Sequence, residues 1–366
     1  MKTFRNLVRN LTLAALCSLA AAFSTKALAQ SYPPAWSSSS AYAAGDQVQL
    51  NGNVLRAVIP STAGSFIYSH WELWDVRANT TLMVGVGQTF TNLLTAWNYV
   101  HNARVTDGAY LHLYISTAHG AFSETFTSPF SLDQDSGANI SIMGDKPGNI
   151  ILTFSASNGF VIDSAHAFGT LENLTMNGAA NYSGVAASNS ATIGQIINLT
   201  VNNFGNSFTA TTNANLYMPD FGATGYAQAV TASLGGTVNC PNVNLSARGG
   251  IEGGDLVATQ GGIIYASGAS LSNSNTALYA NYGGIIYASG SSIWGCTTGC
   301  FAIEGGKIYV ERNTFGANVG AGAQPNETDL DAKLGGLIDA FLVTGTVPTQ
   351  SIDTGYGSYI FTNGAG

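Results

Sequence analysis

Apolar and polar residues alternate in short runs along most of this chain, and in one segment the alternation becomes a repeat. Two copies of one pattern, GGIIYASGASLSNSNTALYANY and GGIIYASGSSIWGCTTGCFAIE, occupy positions 261–282 and 283–304, so the period is 22. A third copy begins with GGKIYVERN at Gly305. Self-similarity at such a period is typical of stacked units that bury their apolar faces only against one another. The repeat therefore predicts a solenoid of short strands.

The alternation also predicts which side chains point into the solenoid. Five inward positions and their equivalents one coil later are Ile264, Ala266, Leu271, Leu278 and Ala280, then Ile286, Ala288, Ile293, Cys300 and Ala302, with Val238 below Ile264. The preceding coil, which runs from Gly235 to Gln260, exceeds the period by four, and alignment places its extra residues in ARGGIEGG. We expect a protruding loop there.

The outward positions of the repeat carry two aromatic columns. Tyr265, Tyr287 and Tyr309 occupy one position in three successive coils, and Tyr279 and Phe301 occupy another. Exposed aromatic rings can stack on sugar rings while hydroxyl groups complete the hydrogen bonds. The alternative is that these side chains only cover one another and stabilise the sheet.

The segments on either side of the repeat are predicted to close the solenoid. Residues 91–104 have apolar side chains at helical spacing behind a possible N-cap at Thr91, which predicts a helix over the open end. The segment DLDAKLGGLIDAFL, residues 329–342, is predicted to form a short helix within a C-terminal cap and tail over 317–366.

The strand signals ISIMGD and, later, LENLTMNG resemble the first coils of right-handed parallel β-helix proteins of the pectate-lyase-like and phage-tailspike group. The resemblance covers about residues 82–315 and implies an all-β fold, with the β-helix over 80–316. It implies little about activity, because this fold serves lyases, hydrolases and non-catalytic adhesins. Tailspike relatives are commonly trimers, so the resemblance also implies a possible homotrimer.

Residues 32–76 read as a small separate β module. Two alternating runs flank Asn51-Gly52, the strongest short hairpin signal. With Ala35-Trp36, Tyr42 and Trp71-Glu72-Leu73, the segment resembles the small chitin-binding modules of bacterial chitinases. That resemblance implies glycan contact through Trp36 and Trp71, whereas a module this short also needs its aromatic residues for its own core.

Residues 1–29 have the basic start, apolar run and small-residue end of a secretory signal peptide. Its removal takes away four basic residues and changes the net charge from −8 to −12. Such an acidic chain repels phosphate backbones, so nucleic acid is not an expected partner. We expect a secreted protein, located outside the cell, on its surface or in the periplasm, and not an integral membrane protein.

Few residues are candidates for a catalytic role. Glu252 and Asp255 are predicted to lie on the inserted loop, with Glu304 near that end of the third coil, so the three could form a catalytic acidic cluster. The alternative is that these carboxylates are solvated side chains in turns and have no catalytic role. Asp133 and Asp135 read as a loop pair, and the five His residues are scattered.

Two cysteines, Cys296 and Cys300, could close a small disulfide loop. No metal site and no cofactor is expected, because no ligand or nucleotide-binding motif is present. The function favoured by these observations is non-catalytic binding of a polysaccharide or cell-surface glycan, as in an adhesin or receptor-binding protein. The alternatives are a polysaccharide lyase or glycoside hydrolase acting on an acidic or chitin-like polymer, and a purely structural surface fibre.

Overall fold

The structure is a computed structural model that describes residues 33–106, 108–246, 254–316, 326–345, 350–352 and 357–363. The predicted signal peptide and Glu252 lie outside these ranges. The chain divides into two compact units, residues 1–71 and 72–366. With 51% of residues in strands and 5% in helices, the protein is all-β, as predicted.

The first unit contains the predicted hairpin. Strands β1 (Gln47–Leu50) and β2 (Asn53–Ala57) pair antiparallel. Asn51 and Gly52 both have positive φ, at 51° and 82°, which is the backbone that a two-residue hairpin turn requires. Strand β3 (Trp71–Val76) begins at the last residue of this unit, and its far end pairs parallel with β5 (Arg104–Val105) inside the second unit.

The second unit is a parallel β-solenoid of about ten coils. Each complete coil contributes one strand to each of three faces. Face 1 consists of β4 Thr80–Val84, β6 Leu111–Ile115, β9 Ile140–Gly144, β12 Ala167–Glu172, β15 Thr192–Asn202, β17 Asn215–Tyr217, β20 Thr237–Asn239, β23 Ile263–Tyr265, β26 Ile285–Tyr287, β29 Lys307–Glu311, β32 Leu337–Phe341 and β35 Tyr359–Asn363.

Face 2 includes the second half of β15, because this long strand runs from face 1 into face 2. Its other strands are β7 Phe122–Phe126, β10 Ile150–Phe154, β13 Thr175–Asn177, β18 Asp220–Thr224, β21 Asn244–Ser246, β24 Ser270–Ser272, β27 Ser292–Trp294, β30 Thr314–Phe315 and β33 Thr344–Gly345. Face 3 consists of β8 Phe130–Ser131, β11 Phe160–Ile162, β14 Ser183–Ala187, β16 Asn206–Thr211, β19 Gln228–Ser233, β22 Gly254–Ala258, β25 Thr276–Ala280, β28 Thr298–Ile303, β31 Thr328–Lys333 and β34 Gln350–Ile352.

The predicted inward columns are present. Ile264 lies between Val238 and Ile286 in register, and all three side chains are fully buried. Leu278 pairs with Cys300 in the same way on face 3. Every inward residue predicted for the two exact copies is buried. Like side chains stack on like because in-register parallel strands repeat at ~4.8 Å.

The register also locates the longer coils. Leu245 pairs with Leu271 on face 2, and Gly254 pairs with Thr276 on face 3, so four extra residues lie between β21 and β22, where they were predicted. A second expansion of eight residues lies at the same corner between β30 and β31, since Ile293 pairs with Phe315 and Thr298 with Thr328. Both expansions therefore lie on one side of the solenoid.

The predicted C-terminal helix is wrong. Residues 329–342 instead lie in β31, a tight turn and β32, which extend faces 3 and 1 beyond residue 316, the predicted end of the β-helix. Leu330 and Ile338 point inward onto Cys300 and Ile308. The exposed strand edges of the preceding coil supply backbone partners, and this tertiary pairing overrides local helix propensity.

Gly-Gly pairs mark the turn that leads each later coil into face 1. A residue with positive φ precedes each pair's first glycine, as in Glu304 (φ 53°) before Gly305 (φ 77°). The second glycine is needed for a different reason, because a Cβ on Gly284 would lie 2.1 Å from the backbone oxygen of Ala258. This turn therefore needs a left-handed backbone at the first glycine and a close approach at the second.

The N-terminal helix α1 (Leu93–Val100) is shorter than predicted and begins at a different cap. Asn92, not Thr91, is the N-cap, and its side chain accepts a hydrogen bond from the backbone N–H of Thr95 at 2.8 Å. The carboxylate of Glu124 on β7 accepts hydrogen bonds from the N–H groups of Leu93 and Leu94, at 2.6 and 3.1 Å. Closure of the solenoid's open end by this helix stays a prediction.

Candidate glycan-binding surface

The tyrosine column lies on the outer side of face 1, as the alternation predicts. Tyr265, Tyr287 and Tyr309 are in register on β23, β26 and β29. Tyr265 is 42% exposed and Tyr287 36% exposed, and Tyr309 is half-buried. The three side chains therefore form a continuous aromatic stripe along the solenoid axis.

The rings of this stripe stack on one another. Ring centroids are 5.2 Å apart between Tyr265 and Tyr287 and 4.9 Å apart between Tyr287 and Tyr309, with interplanar angles of 7° and 11°. Both faces of Tyr287 are covered, and a sugar ring cannot enter between rings at this spacing. A glycan lying along the stripe would meet ring edges and hydroxyl groups.

None of the three phenol hydroxyls has a hydrogen-bond partner among the described residues. Their neighbours in the same column are Asn239 before Tyr265 and Asp339 after Tyr309. Three hydroxyl groups at the coil spacing can each donate and accept a hydrogen bond. The column thus combines the two interpretations, because the rings support one another and their polar ends remain available.

The second aromatic column lies on face 3. Tyr279 and Phe301 stack with centroids 5.5 Å apart. The ammonium group of Lys333 lies 5.2 Å from the centroid of the Phe301 ring and forms an ion pair with Asp331 at 2.7 Å. Because a cation already lies against Phe301, this column offers less aromatic surface than the tyrosine stripe.

In the N-terminal unit the two tryptophans differ. Trp71 is buried, and its ring contacts Tyr42 edge-on at 5.1 Å and stacks on Phe66 at 5.8 Å. Trp36 is half-buried and contacts Phe66 edge-on at 5.6 Å. Trp71 therefore belongs to the core of this unit, and Trp36 keeps the more accessible ring.

Asp255 is buried near the start of β22. Only 1% of its surface is exposed, and its Oδ1 accepts a hydrogen bond from the hydroxyl of buried Tyr226 at 2.8 Å. Its Oδ2 has no well-formed hydrogen bond, although the Ser274 hydroxyl lies near enough to favour the charged form. Burial raises the pKa of Asp255 to about 7 and outweighs the opposing effect of the Tyr226 and Ser274 hydroxyls. In this position the carboxyl group cannot touch a polymer on the surface.

Glu304 is at the other end of the face 3 strands. It follows β28 in the tight turn, whereas Asp255 is the second residue of β22 and shares a column with Gly299. Five residues along a strand separate these columns by roughly 16 Å. Glu304 interacts instead with the Tyr282 hydroxyl and raises the pKa of that phenol. The structure therefore does not bring Asp255 and Glu304 together, and Glu252 lies outside the described residues.

Cys296 and Cys300 are both free and buried, as is Cys240. Cys300 points inward between Leu278 and Leu330, whereas Cys296 contacts the Ser274 hydroxyl at 3.2 Å. Burial raises the pKa of each thiol, to about 12 for Cys240. The thiols therefore stay protonated at neutral pH and behave as core residues.

No protein-family model, curated protein or solved structure matches the chain. In the part of the chain that the structure describes, no helix is long and apolar enough to cross a membrane. The same residues contain no group of three or more His, Cys, Asp or Glu side chains placed to hold a metal ion.

Sequence reasoning missed one polar site. Asp133 and Asp135, interpreted as a loop pair, lie beside His166, 3.7 and 3.6 Å from its ring nitrogens. The aspartates follow β8 and the histidine follows β11, its neighbour in the next coil of face 3. The early coils have no exact repeat from which this register could be read.

Proposed function

We propose that this protein is an exported, non-catalytic glycan- or surface-binding β-helix protein that uses the outer side of face 1 as its contact surface. The observation that carries the proposal is the row of Tyr265, Tyr287 and Tyr309 hydroxyls, which stand in register without partners among the described residues. Parallel rings 4.9 to 5.2 Å apart hold these groups at a fixed repeat. An extended polysaccharide with regularly spaced hydroxyls, aligned with the solenoid axis, suits such a row.

The chemistry of the neighbouring surface supports the same ligand class. The outward residues beside the tyrosines are Ile263 and Ile285, and the next coil adds Lys307. A partly apolar strip whose charged residues, Lys307 and Asp339, lie at one end favours a polymer with few charges over a polyanion. Of the two candidate acids that the structure describes, Asp255 is buried and lies apart from Glu304, which favours binding over glycosidic chemistry.

The experiment compares binding of the mature chain to a glycan array and to insoluble chitin and cellulose. A triple variant, Tyr265→Phe, Tyr287→Phe and Tyr309→Phe, keeps the ring stack and removes the hydroxyls. Loss of three neutral hydrogen bonds of ~1 kcal/mol each predicts weakening by about a hundredfold. Tyr279→Phe on face 3 is the matched control and is expected to bind like the wild type.

Other outcomes select the alternatives. New reducing ends or unsaturated products from pectin, alginate or chitin, with or without Ca²⁺, would establish a polysaccharide lyase or hydrolase. Absence of binding to every glycan would favour a structural surface fibre. A trimer in solution with the tyrosine stripe inside its interface would also refute the proposal, because the stripe would then be closed to a glycan.

A further inference from the structure

A separate polar cleft of about 500 Å³ lies among the early coils of the solenoid. Three segments line it: the stretch after α1, the loop after β8 and the turn before β12. Its main polar side chains are those of His101, Arg104, Asp133, Asp135, Ser136 and His166. A concave site of this volume, bounded by polar groups from several segments, has the size of a small-ligand site.

His166 is held in a single orientation within this cleft. Its Nδ1 lies 2.7 Å from the backbone oxygen of Asp163. Because a carbonyl oxygen only accepts hydrogen bonds, Nδ1 carries the hydrogen, and the neutral ring presents Nε2 as an acceptor. Nε2 is 3.6 Å from Oδ1 of Asp135, which is too long for a hydrogen bond.

The turn that carries His166 is firmly anchored. Oδ1 of Asp163 accepts hydrogen bonds from Ser188, Asn189 and the backbone of Ser164 at 2.7 to 2.8 Å. These bonds, led by that of the Ser188 hydroxyl, lower the pKa of Asp163 and keep it charged. The backbone N–H of Asp163 in turn donates to Oδ1 of Asp133 at 2.6 Å. The imidazole is therefore positioned before any ligand arrives.

Asp135 and Arg104 are the two charged side chains of the cleft that remain available for hydrogen bonds to a ligand. Asp133 is not available, because its second oxygen accepts a hydrogen bond from the Ser131 hydroxyl at 3.0 Å. Asp135 is fully exposed and accepts no hydrogen bond from the described residues, and Arg104 forms no ion pair with them. The cleft therefore offers a carboxylate and an imidazole nitrogen as acceptors and a guanidinium group as donor.

Such a mixture selects a particular chemistry. A carboxylate can accept from two neighbouring hydroxyls, and a guanidinium group can donate to hydroxyl or ring oxygens. The two aspartates disfavour anionic ligands, and among the residues that line the cleft only Ala103 is apolar. We propose that this cleft binds one or two units of a neutral carbohydrate through their hydroxyl groups, with Asp135, His166 and Arg104 in direct contact.

The site is distinct from the tyrosine stripe and does not require that the stripe bind a glycan. Titration calorimetry and saturation-transfer NMR on the full mature chain would use glucose, galactose, mannose, N-acetylglucosamine and the disaccharides maltose, lactose and chitobiose. At least one sugar is expected to bind with a millimolar dissociation constant. Asp135→Asn and His166→Ala are each expected to weaken binding by about tenfold, because Asp135→Asn replaces a charged acceptor with a neutral one and His166→Ala removes an acceptor.

Asp220→Asn is the matched control, because Asp220 is another exposed aspartate, on face 2. It is expected to leave the dissociation constant unchanged, as is the tyrosine-to-phenylalanine triple variant. Asp135 is fully exposed, so its substitution should also leave the unfolding temperature unchanged. The inference is overturned if no sugar of the panel binds, or if binding survives both Asp135→Asn and His166→Ala.

Discussion

Asp255→Asn is expected to stabilise the protein above neutral pH. The wild-type carboxyl group is almost completely buried with one firm hydrogen bond, from Tyr226, and its pKa is raised to about 7 by burial. An unfolded chain releases the same proton with a pKa near about 3.9. The folded state therefore holds the proton more tightly than the unfolded state does.

The sign of the pH dependence follows from linkage. A group whose pKa is raised in the folded state stabilises the protein fully at pH values below its unfolded-state pKa. This stabilisation is lost as the pH rises through the folded-state pKa. A shift of roughly 3 units corresponds to a loss of about 4 kcal/mol between pH 4 and pH 8, as an upper estimate. Asparagine resembles the protonated acid in shape and can still accept from the Tyr226 hydroxyl, so the variant should not show this loss.

Thermal and denaturant unfolding at pH 4, 6 and 8 measures the effect. The variant and the wild type should be similar at pH 4, and the variant should melt up to about 8 °C higher at pH 8, at roughly 2 °C per kcal/mol. Asp339→Asn, at an exposed position on face 1, is the matched control and should show no such divergence. A variant that is less stable than the wild type at pH 8, or that abolishes a polysaccharide-cleaving activity, would refute the assignment of Asp255 to the core.

Three further predictions concern stability. Gly284→Ala should lower the free energy of unfolding, measured with denaturant, by ~3 kcal/mol or more, because the new Cβ would lie 2.1 and 2.3 Å from backbone atoms. Gly290→Asn should change it little, because no atom lies within 4 Å of a Cβ at that position. Leu334→Asn should raise the unfolding free energy by ~1 kcal/mol, because the residue has a φ of 47° that asparagine tolerates better than leucine; an unchanged or lower denaturant midpoint would contradict this. Glu124→Ala should destabilise helix α1 by ~1–2 kcal/mol, seen as faster amide exchange of Leu93, because that N–H loses its acceptor; unchanged exchange would show that water replaces it.

The exact repeat made the later coils readable from sequence. Alternation within one copy sufficed to place Ile264, Leu271 and Leu278 inward and Tyr265 outward, because side chains alternate along a strand and the copies must stack in register. The first insertion was located for the same reason. Where the copies fade, as at residues 329–342, local composition pointed to a helix, although the Gly335-Gly336 pair already matched the turn of the earlier coils.

Side-chain environment could not be read from the sequence. Asp255 follows a polar, glycine-rich stretch that reads as a surface loop, and only the register of β22 with β25 places its side chain at a buried corner beside Tyr226. Likewise, His166 meets Asp133 and Asp135 only because early coils of unequal length bring positions in successive coils onto one edge.

By itself, then, the sequence determined the solenoid, its inward columns and the outward tyrosine stripe, because a period and an alternation are local properties of the chain. The tertiary structure decided how the stripe can be used and where other chemistry can occur. Stacking at 4.9 to 5.2 Å covers the tyrosine faces and leaves their hydroxyls free, while burial removes Asp255 from the surface. Those outcomes depend on contacts between coils, which no single coil specifies.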